Sequence, residues 1–223
     1  MAESVVLLSG GVDSALCLAM EVKYRTAASV VALSVDYGQS HQCELVAASA
    51  LTRHYQGVEH RIVSLRLPTQ RGCIAGQVHR PAPDGEISPH YVPGRNTVLL
   101  GLALSCAESV GATRIIIGPT QADQAGFPDC RHSFFRAWQV MANVATASTE
   151  RITIETPLLT RSKVWIGREC KRLKVPLDLT WSCYNGGITG GSRSGPAHCG
   201  ECNACINRLT VCLEAGVGLE GKP

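Results

Sequence analysis

The chain has 223 residues, 45% hydrophobic and only 5% aromatic, with 17% charged residues and a formal net charge of +3. That is enough for one large domain, or a domain with an appendage, around an aliphatic core. The small charge, without a basic block, argues against a dedicated nucleic-acid surface, and with no secretory pattern and no bilayer-length apolar run a cytoplasmic, membrane-free setting is expected.

Val5-Val6-Leu7-Leu8 predicts a buried parallel strand, and Ala15 to Met20 is rich in good helix formers. Between them lies Ser9-Gly10-Gly11-Val12-Asp13-Ser14. A polar glycine loop from strand to helix points backbone N–H groups and a helix N-terminus at one spot, which suits a phosphate chain. Gly10 and Gly11 allow close approach of a ligand, and Ser9 and Ser14 add hydroxyl donors, with Ser14 also a candidate helix cap. The run is neither a Walker A loop nor a G-x-G-x-x-G fingerprint. Asp13 is unusual beside phosphates, and its expected use is to hold Mg²⁺.

Residues 29–35 predict a second buried strand, running into Asp36-Tyr37-Gly38-Gln39. In an open parallel sheet ligands sit beyond the carboxyl ends of strands, which places Asp36, Tyr37 and Gln39 near an adenosine or a metal, with an ordinary βα turn bent at Gly38 an equally good alternative. A helix over 42–55, a strand over 61–65 and a long irregular stretch over 66–93 follow. Such a stretch is either a binding loop or disordered. Arg95 and Asn96 head an apolar helix over 97–110, as phosphate or substrate ligands, with Asn96 as N-cap the simpler alternative. A strand over 115–117 leads into a polar loop that carries Asp123, Asp129, Cys130 and Arg131. Then come a helix over 131–146, a strand over 152–155 and a helix over 162–173, capped by Ser162. Lys163 lies in its first turn, where the helix dipole disfavours a cation, which points to an anionic ligand there, with a solvated surface lysine the simpler alternative. The alternation predicts an α/β fold, a parallel twisted sheet with helices on both faces over residues 1–175.

Residues 176–223 are expected to form a C-terminal helical, cysteine-rich subdomain that binds zinc. Cys199, Cys202 and Cys205 have C-x₂-C-x₂-C spacing, Cys183 lies upstream, and Cys202 and Cys205 are expected to begin the last helix. Four thiolates suit a closed tetrahedral Zn²⁺ site, an iron–sulfur cluster is the competing assignment, and His198 is an alternative fourth ligand. Among the eleven cysteines, Cys17, Cys106 and Cys212 sit in apolar helical contexts as packing residues, while the role of Cys130 stays open.

Ser9-Gly10-Gly11-Val12-Asp13-Ser14 resembles the PP-loop of the ATP pyrophosphatases, among them NAD, GMP and asparagine synthetases. Together with Asp36-Tyr37-Gly38-Gln39, His41 and Glu44, Val92 to Asn96, Gly126 to Arg131, Thr156-Pro157-Leu158 with Lys163, and the cysteine set, it gives a more specific match. From residue 4 to about residue 215 the chain resembles the 7-cyano-7-deazaguanine synthases of queuosine precursor biosynthesis. That resemblance implies an adenine nucleotide alpha-hydrolase-like fold, a homodimer, and conversion of 7-carboxy-7-deazaguanine and ammonia to the nitrile. It implies two ATP-dependent adenylations that release AMP and pyrophosphate. It implies that Ser9, Gly10, Gly11, Val12, Asp13, Ser14, Asp36 and Lys163 bind ATP, and that Asp13, Lys163 and Arg95 are catalytic. Tyr37, Gln39, Arg95, Asn96, Asp123, Asp129 and Arg131 would contact substrate, with structural Zn²⁺ on Cys183, Cys199, Cys202 and Cys205. Rival readings are a tRNA-thiolating PP-loop enzyme, a relative with another carboxylate or acceptor, and a non-catalytic nucleotide-binding regulator.

Overall fold

The structure, a computed structural model, describes residues 2–38, 43–67, 87–88, 90–184 and 198–217. Strands β1 (Ser4–Leu7), β2 (Val30–Asp36), β3 (Glu59–Ser64), β4 (Arg114–Ile116) and β5 (Thr153–Glu155) form one five-stranded sheet. Their order is β3-β2-β1-β4-β5 and every pairing is parallel. In register, Val5 lies between Val31 and Ile115, and Val6 between Ala32 and Ile116. The strand order reverses at β1, so the β1–β4 junction is the topological switch point at which α/β sheets form ligand crevices.

Helices α1 (Val12–Tyr24), α2 (Cys43–His54), α3 (Arg95–Val110), α4 (Asp123–Gly126), α5 (His132–Ala145), α6 (Lys163–Leu173) and α7 (Asn203–Ala215) surround the sheet. Side chains alternate across a strand, so one apolar run feeds two cores. Val6, Leu8, Ala32 and Ile116 pack with Leu16 of α1, Leu51 of α2, Ile166 of α6 and Val211 of α7. Val5, Leu7, Val31, Leu33 and Ile115 pack on the other face with Leu100 and Leu104 of α3 and Phe135 of α5. A third cluster joins Ala47 of α2 to Trp181, Cys183, Cys202 and Cys205. The last helix therefore shares the main core through Val211, Cys212 and Ala215, while its N-terminal end carries the cysteines.

The expected fold class is the one observed, with small differences in the elements. The first helix begins at Val12, earlier than its apolar run suggests, with Gly11 as N-cap and no side-chain cap. Ser14 lies one turn inside, and its Oγ donates to the Gly11 carbonyl at 3.0 Å instead of capping. The edge strand β3 starts at Glu59, because pairing with β2 extends it beyond its apolar part. The short α4 and the 3-10 turn Pro128–Cys130 arise inside the polar loop after β4. Most of the irregular stretch, residues 68–86 and 89, lies outside the described residues, as does Gln39.

Two contacts fix the frame around the site. Arg114, at the start of β4, donates from Nη1 to Glu21 of α1 at 2.6 Å and from Nε to Glu155 of β5 at 2.5 Å. This bridge ties α1 to the far edge of the sheet. On the other side, α6 and α7 meet at Gly167, where an added Cβ would lie 2.5 Å from Glu214 Cβ and 2.7 Å from the Val211 carbonyl oxygen. Gly167→Ala is expected to force the helices apart and lower stability by about 1–3 kcal/mol, as overpacking does. Urea unfolding of the two proteins measures it, and an unchanged midpoint would contradict the close approach.

Candidate active site

The loop after β1 is held in a shape that only glycine permits. Gly10 has φ +86°, and a Cβ there would lie 2.2 Å from the carbonyl oxygen of Glu44 and 2.9 Å from the backbone nitrogen of Ala48. The loop thus lies directly on the first turns of α2. On its other side the Gly10 carbonyl accepts from the Trp181 N–H at 2.9 Å. Ser9 and Ser14 lock the turn from within: their hydroxyls lie 3.1 Å apart, and the Ser9 N–H donates to Ser14 Oγ at 3.3 Å. The first helical acceptor, the Gly11 carbonyl, is used by Ala15 at 2.9 Å. The N–H groups of Val12, Asp13 and Ser14 consequently have no acceptor within the helix and form its positive end.

A cleft of about 350 Å³ opens between this loop and the one after β4, at the carboxyl ends of β1, β2 and β4. Ser9, Gly11, Asp13, Ser14, Tyr37, Arg95, Asn96 and Asp123 line it, so many of the expected residues converge from four separate stretches. A smaller polar cavity of about 160 Å³ adjoins it, and Val12, Lys163 and Arg208 face that space. Gly11, Asp13, Glu44, Asp123 and Tyr184 border both.

Lys163 meets its anion within the protein. Its Nζ donates to both carboxylate oxygens of Asp13, at 2.9 and 2.8 Å. Ser162 caps α6 as expected, accepting from Trp165 N at 3.3 Å, and so fixes where Lys163 projects. Burial raises the Asp13 carboxyl above its ordinary value, and Lys163 opposes that shift without cancelling it. Arg95 and Tyr37 are hydrogen-bonded; burial works against the charge on Arg95, but Tyr37 and Asp129 hold its pKa above the usual guanidinium value.

Several expected site residues also make contacts that hold the frame. Asp36 Oδ1 accepts from the Gly38 N–H at 3.1 Å, closing its own turn, and the residue is not among those lining the cleft. The helix over α3 is capped from a distance: the Asn96 N–H donates to Asp129 Oδ2 at 3.0 Å, and Asn96 Nδ2 donates back to the Asp129 carbonyl at 2.9 Å. Asn96 is therefore inside the helix and not its N-cap, which is Gly94. Arg131 is exposed and donates from Nε to the Gln124 carbonyl at 3.2 Å, away from the cleft. Asp123 accepts from the Thr120 N–H and hydroxyl, both at 2.7 Å. Cys130 lines the cleft, but its thiol is pushed up to about 12 by burial and receives Asn96 Nδ2 at 3.3 Å, which describes a packed and unreactive group. Cys17 is likewise raised by burial, and Cys212 is buried in the main core.

Four residues escaped sequence reasoning as site members. Glu44, named there only within a motif, borders both cavities; its signal is its place three residues into the stretch after a candidate ligand loop. His90 and Tyr184 stack with ring centroids 4.6 Å apart at the wall of the cleft, and Arg208 reaches the smaller cavity from α7. These come from remote stretches with no local pattern to mark them.

The cysteines converge beside the loop. One ligand atom from each of Cys183, Cys199, Cys202 and Cys205 lies within 4.8 Å of the other three, and three of the residues are buried. Four thiols so close suit a single tetrahedral metal ion, so the donor set fits a metal. Burial works against a Cys199 thiolate, but N–H groups of Glu201 and Cys202 donate to it and bring its pKa down to about 7. His198 is otherwise engaged: its Nε2 accepts from the Ser182 N–H at 3.3 Å, and its ring lies 4.4 Å from that of Trp181.

A switch-point cleft over a Ser-Gly-Gly-x-Asp-Ser loop defines a PP-loop nucleotide-binding protein with an appended cluster of four cysteines that could hold a metal. Residues 3–216 match the family described as "Queuosine biosynthesis protein QueC", and the chain belongs to that family. It is 38% identical to the 7-cyano-7-deazaguanine synthase of Synechococcus sp. (strain CC9605) over 221 residues, covering 96% of this chain and 93% of that one. It is also 38% identical to the 7-cyano-7-deazaguanine synthase of Legionella pneumophila subsp. pneumophila (strain Philadelphia 1), covering 97% and 95%. Among solved structures it is similar to the NH3-dependent NAD synthetase of Campylobacter jejuni, with TM-score 0.49 and 14% identity over 79% of this chain and 66% of that one.

The cap geometry gives a test of what Asp129 does. Asp129→Ala is expected to lower stability by about 1 kcal/mol through the lost cap, while Asp129→Asn, which keeps an acceptor oxygen, is expected to lose less. Denaturant midpoints of both variants report it, and equal losses would argue that charge, not capping, is what counts.

Proposed function

We propose that this chain is a 7-cyano-7-deazaguanine synthase, converting 7-carboxy-7-deazaguanine and ammonia to the nitrile with two ATP-dependent activations. The observation that carries the reading is the near-complete family match of residues 3–216, set on a chain whose cleft opens over the PP-loop. A carboxylate oxygen is a poor leaving group. Adenylation makes it a good one, and the same activation of the amide oxygen leads on to the nitrile.

The first-turn N–H groups of Val12, Asp13 and Ser14, with the hydroxyls of Ser9 and Ser14 and the close-lying Gly10 and Gly11, would hold the departing pyrophosphate. Lys163 would turn from Asp13 toward the same anion, freeing the Asp13 carboxylate for Mg²⁺, a hard cation that neutralises phosphate charge when bound. Arg95 would face the nucleotide α-phosphate or the substrate carboxylate, with Tyr37, Asn96 and Asp123 shaping the substrate end of the cleft. Roles for Asp36, Asp129 and Arg131 would be indirect, through turn, cap and loop. Gln39 is proposed as a substrate ligand on the resemblance alone.

Zn²⁺ on Cys183, Cys199, Cys202 and Cys205 would be structural, because four protein ligands leave no open position. Its role would be to fix the Trp181–Cys183 segment that binds Gly10. A homodimer is proposed as well: Ile206, Leu209 and Leu213 form an exposed apolar stripe along α7. No helix among the described residues is long and apolar enough to cross a membrane, in keeping with a cytoplasmic enzyme.

Incubation with ATP, Mg²⁺, ammonia and 7-carboxy-7-deazaguanine is expected to give the nitrile, AMP and pyrophosphate by mass spectrometry. Release of ADP and phosphate would refute the PP-loop mechanism. Metal analysis of the purified protein is expected to give about one zinc per chain, following the tetrahedral Cys₄ rule. Iron with inorganic sulfide would overturn the zinc assignment.

A further inference from the structure

Three carboxylates border both cavities: Asp13, Asp123 and Glu44. Asp13 is held by Lys163, and Asp123 by Thr120. Among the described residues, Glu44 is the one of the three without a hydrogen bond or ion pair. It lies in the first turn of α2, and its own carbonyl oxygen is the atom that presses on Gly10. Its position is thus set by the phosphate loop itself. In the proposed reaction the substrate ring would occupy the large cleft and the phosphates the loop, whose Gly11 and Asp13 border both spaces, so the reacting carbon would lie near that border. A free carboxylate at that border adjoins the atoms that change bonding.

We propose that Glu44 is the general base of the reaction, taking the protons that nitrogen sheds; this rests on the synthase reading above. In the first half, the lone pair of ammonia forms a bond to the acyl carbon of the adenylate. The bond from that carbon to the AMP oxygen breaks, with its electron pair leaving on AMP. The surplus proton on nitrogen passes to Glu44, which returns it to water. In the second half, the amide oxygen attacks the α-phosphorus of a second ATP and pyrophosphate leaves. The two N–H protons are then lost, one at a time, as the C–O bond breaks and AMP departs, leaving the nitrile.

The surroundings suit that work. Burial pushes the Glu44 carboxyl up to about 7, and Arg95 on α3 draws it in the opposite direction. A base works best with its pKa near the working pH. Tyr37 after β2 and Tyr184 beside Cys183 face the same group, and Asp13, Lys163 and Asp123 lie across the smaller cavity. Glu44 is ionised above its pKa, so turnover is expected to rise with pH through about 7.

The test compares wild type with Glu44→Gln, which keeps the shape and removes the base. Substrate affinity by calorimetry is expected to hold, as is the pyrophosphate burst without ammonia, since adenylation needs no base. Amide and nitrile formation are expected to fall by about 10²–10⁴-fold, the usual worth of a general base, and the acid limb of the wild-type pH profile, followed at constant free ammonia, is expected to vanish. Near-normal amide formation by the variant would overturn the assignment. So would loss of substrate binding together with the burst, which would make Glu44 a recognition residue. Wild type that makes neither amide nor nitrile would refute the synthase reading, and this assignment with it.

Discussion

The structure depends on how closely the backbone can approach at Gly10. At that residue the phosphate loop touches α2 on one side and bonds to Trp181 on the other. A side chain there would lift the loop from both supports. Through α2 the contact places Glu44; through Trp181 it places the segment that leads into Cys183. One residue without a Cβ therefore brings nucleotide loop, cleft carboxylate and cysteine cluster into a single assembly.

Apart from Glu44, the charges named around the cleft are held by partners. Lys163 grips Asp13, Tyr37 bonds Arg95, and Thr120 satisfies Asp123. A cleft lined with unmatched buried charges would be costly, whereas pairs can exchange partners when an anion or cation enters. The Lys163–Asp13 contact is the clearest instance. It keeps a cation poised at the positive end of α1, where self-repulsion alone would expel it. Arg114 performs the permanent version of the same task, bonding Glu21 and Glu155 far from the cleft.

The cysteine cluster belongs mechanically to this arrangement. Its buried members pack with Trp181 and Ala47, and Ala47 is on the helix that also bears Glu44. The same helix that presents Cys205 at one end buries Val211 and Cys212 in the main core. A metal held there would stiffen the base of the loop from outside the cleft, without any open position of its own.

Local pattern alone determined much of this protein. The runs at residues 5–8, 29–35 and 115–117 read as buried strands because they carry no charged residue and are dominated by aliphatic side chains, and helices between them then favour a parallel sheet. The phosphate loop and the cysteine spacing were legible because each packs its chemistry into six or seven consecutive residues. Tertiary structure decided what side chains do across distance. Asp129 reads as a ligand in sequence but caps α3 from 33 residues away, and Lys163 finds its anion in Asp13, 150 residues distant. Glu44 and Arg208 enter the site because packing on Gly10 and the α6–α7 contact aim them there. Partners that meet only after folding leave no period or spacing in the chain, so only the folded arrangement could assign them.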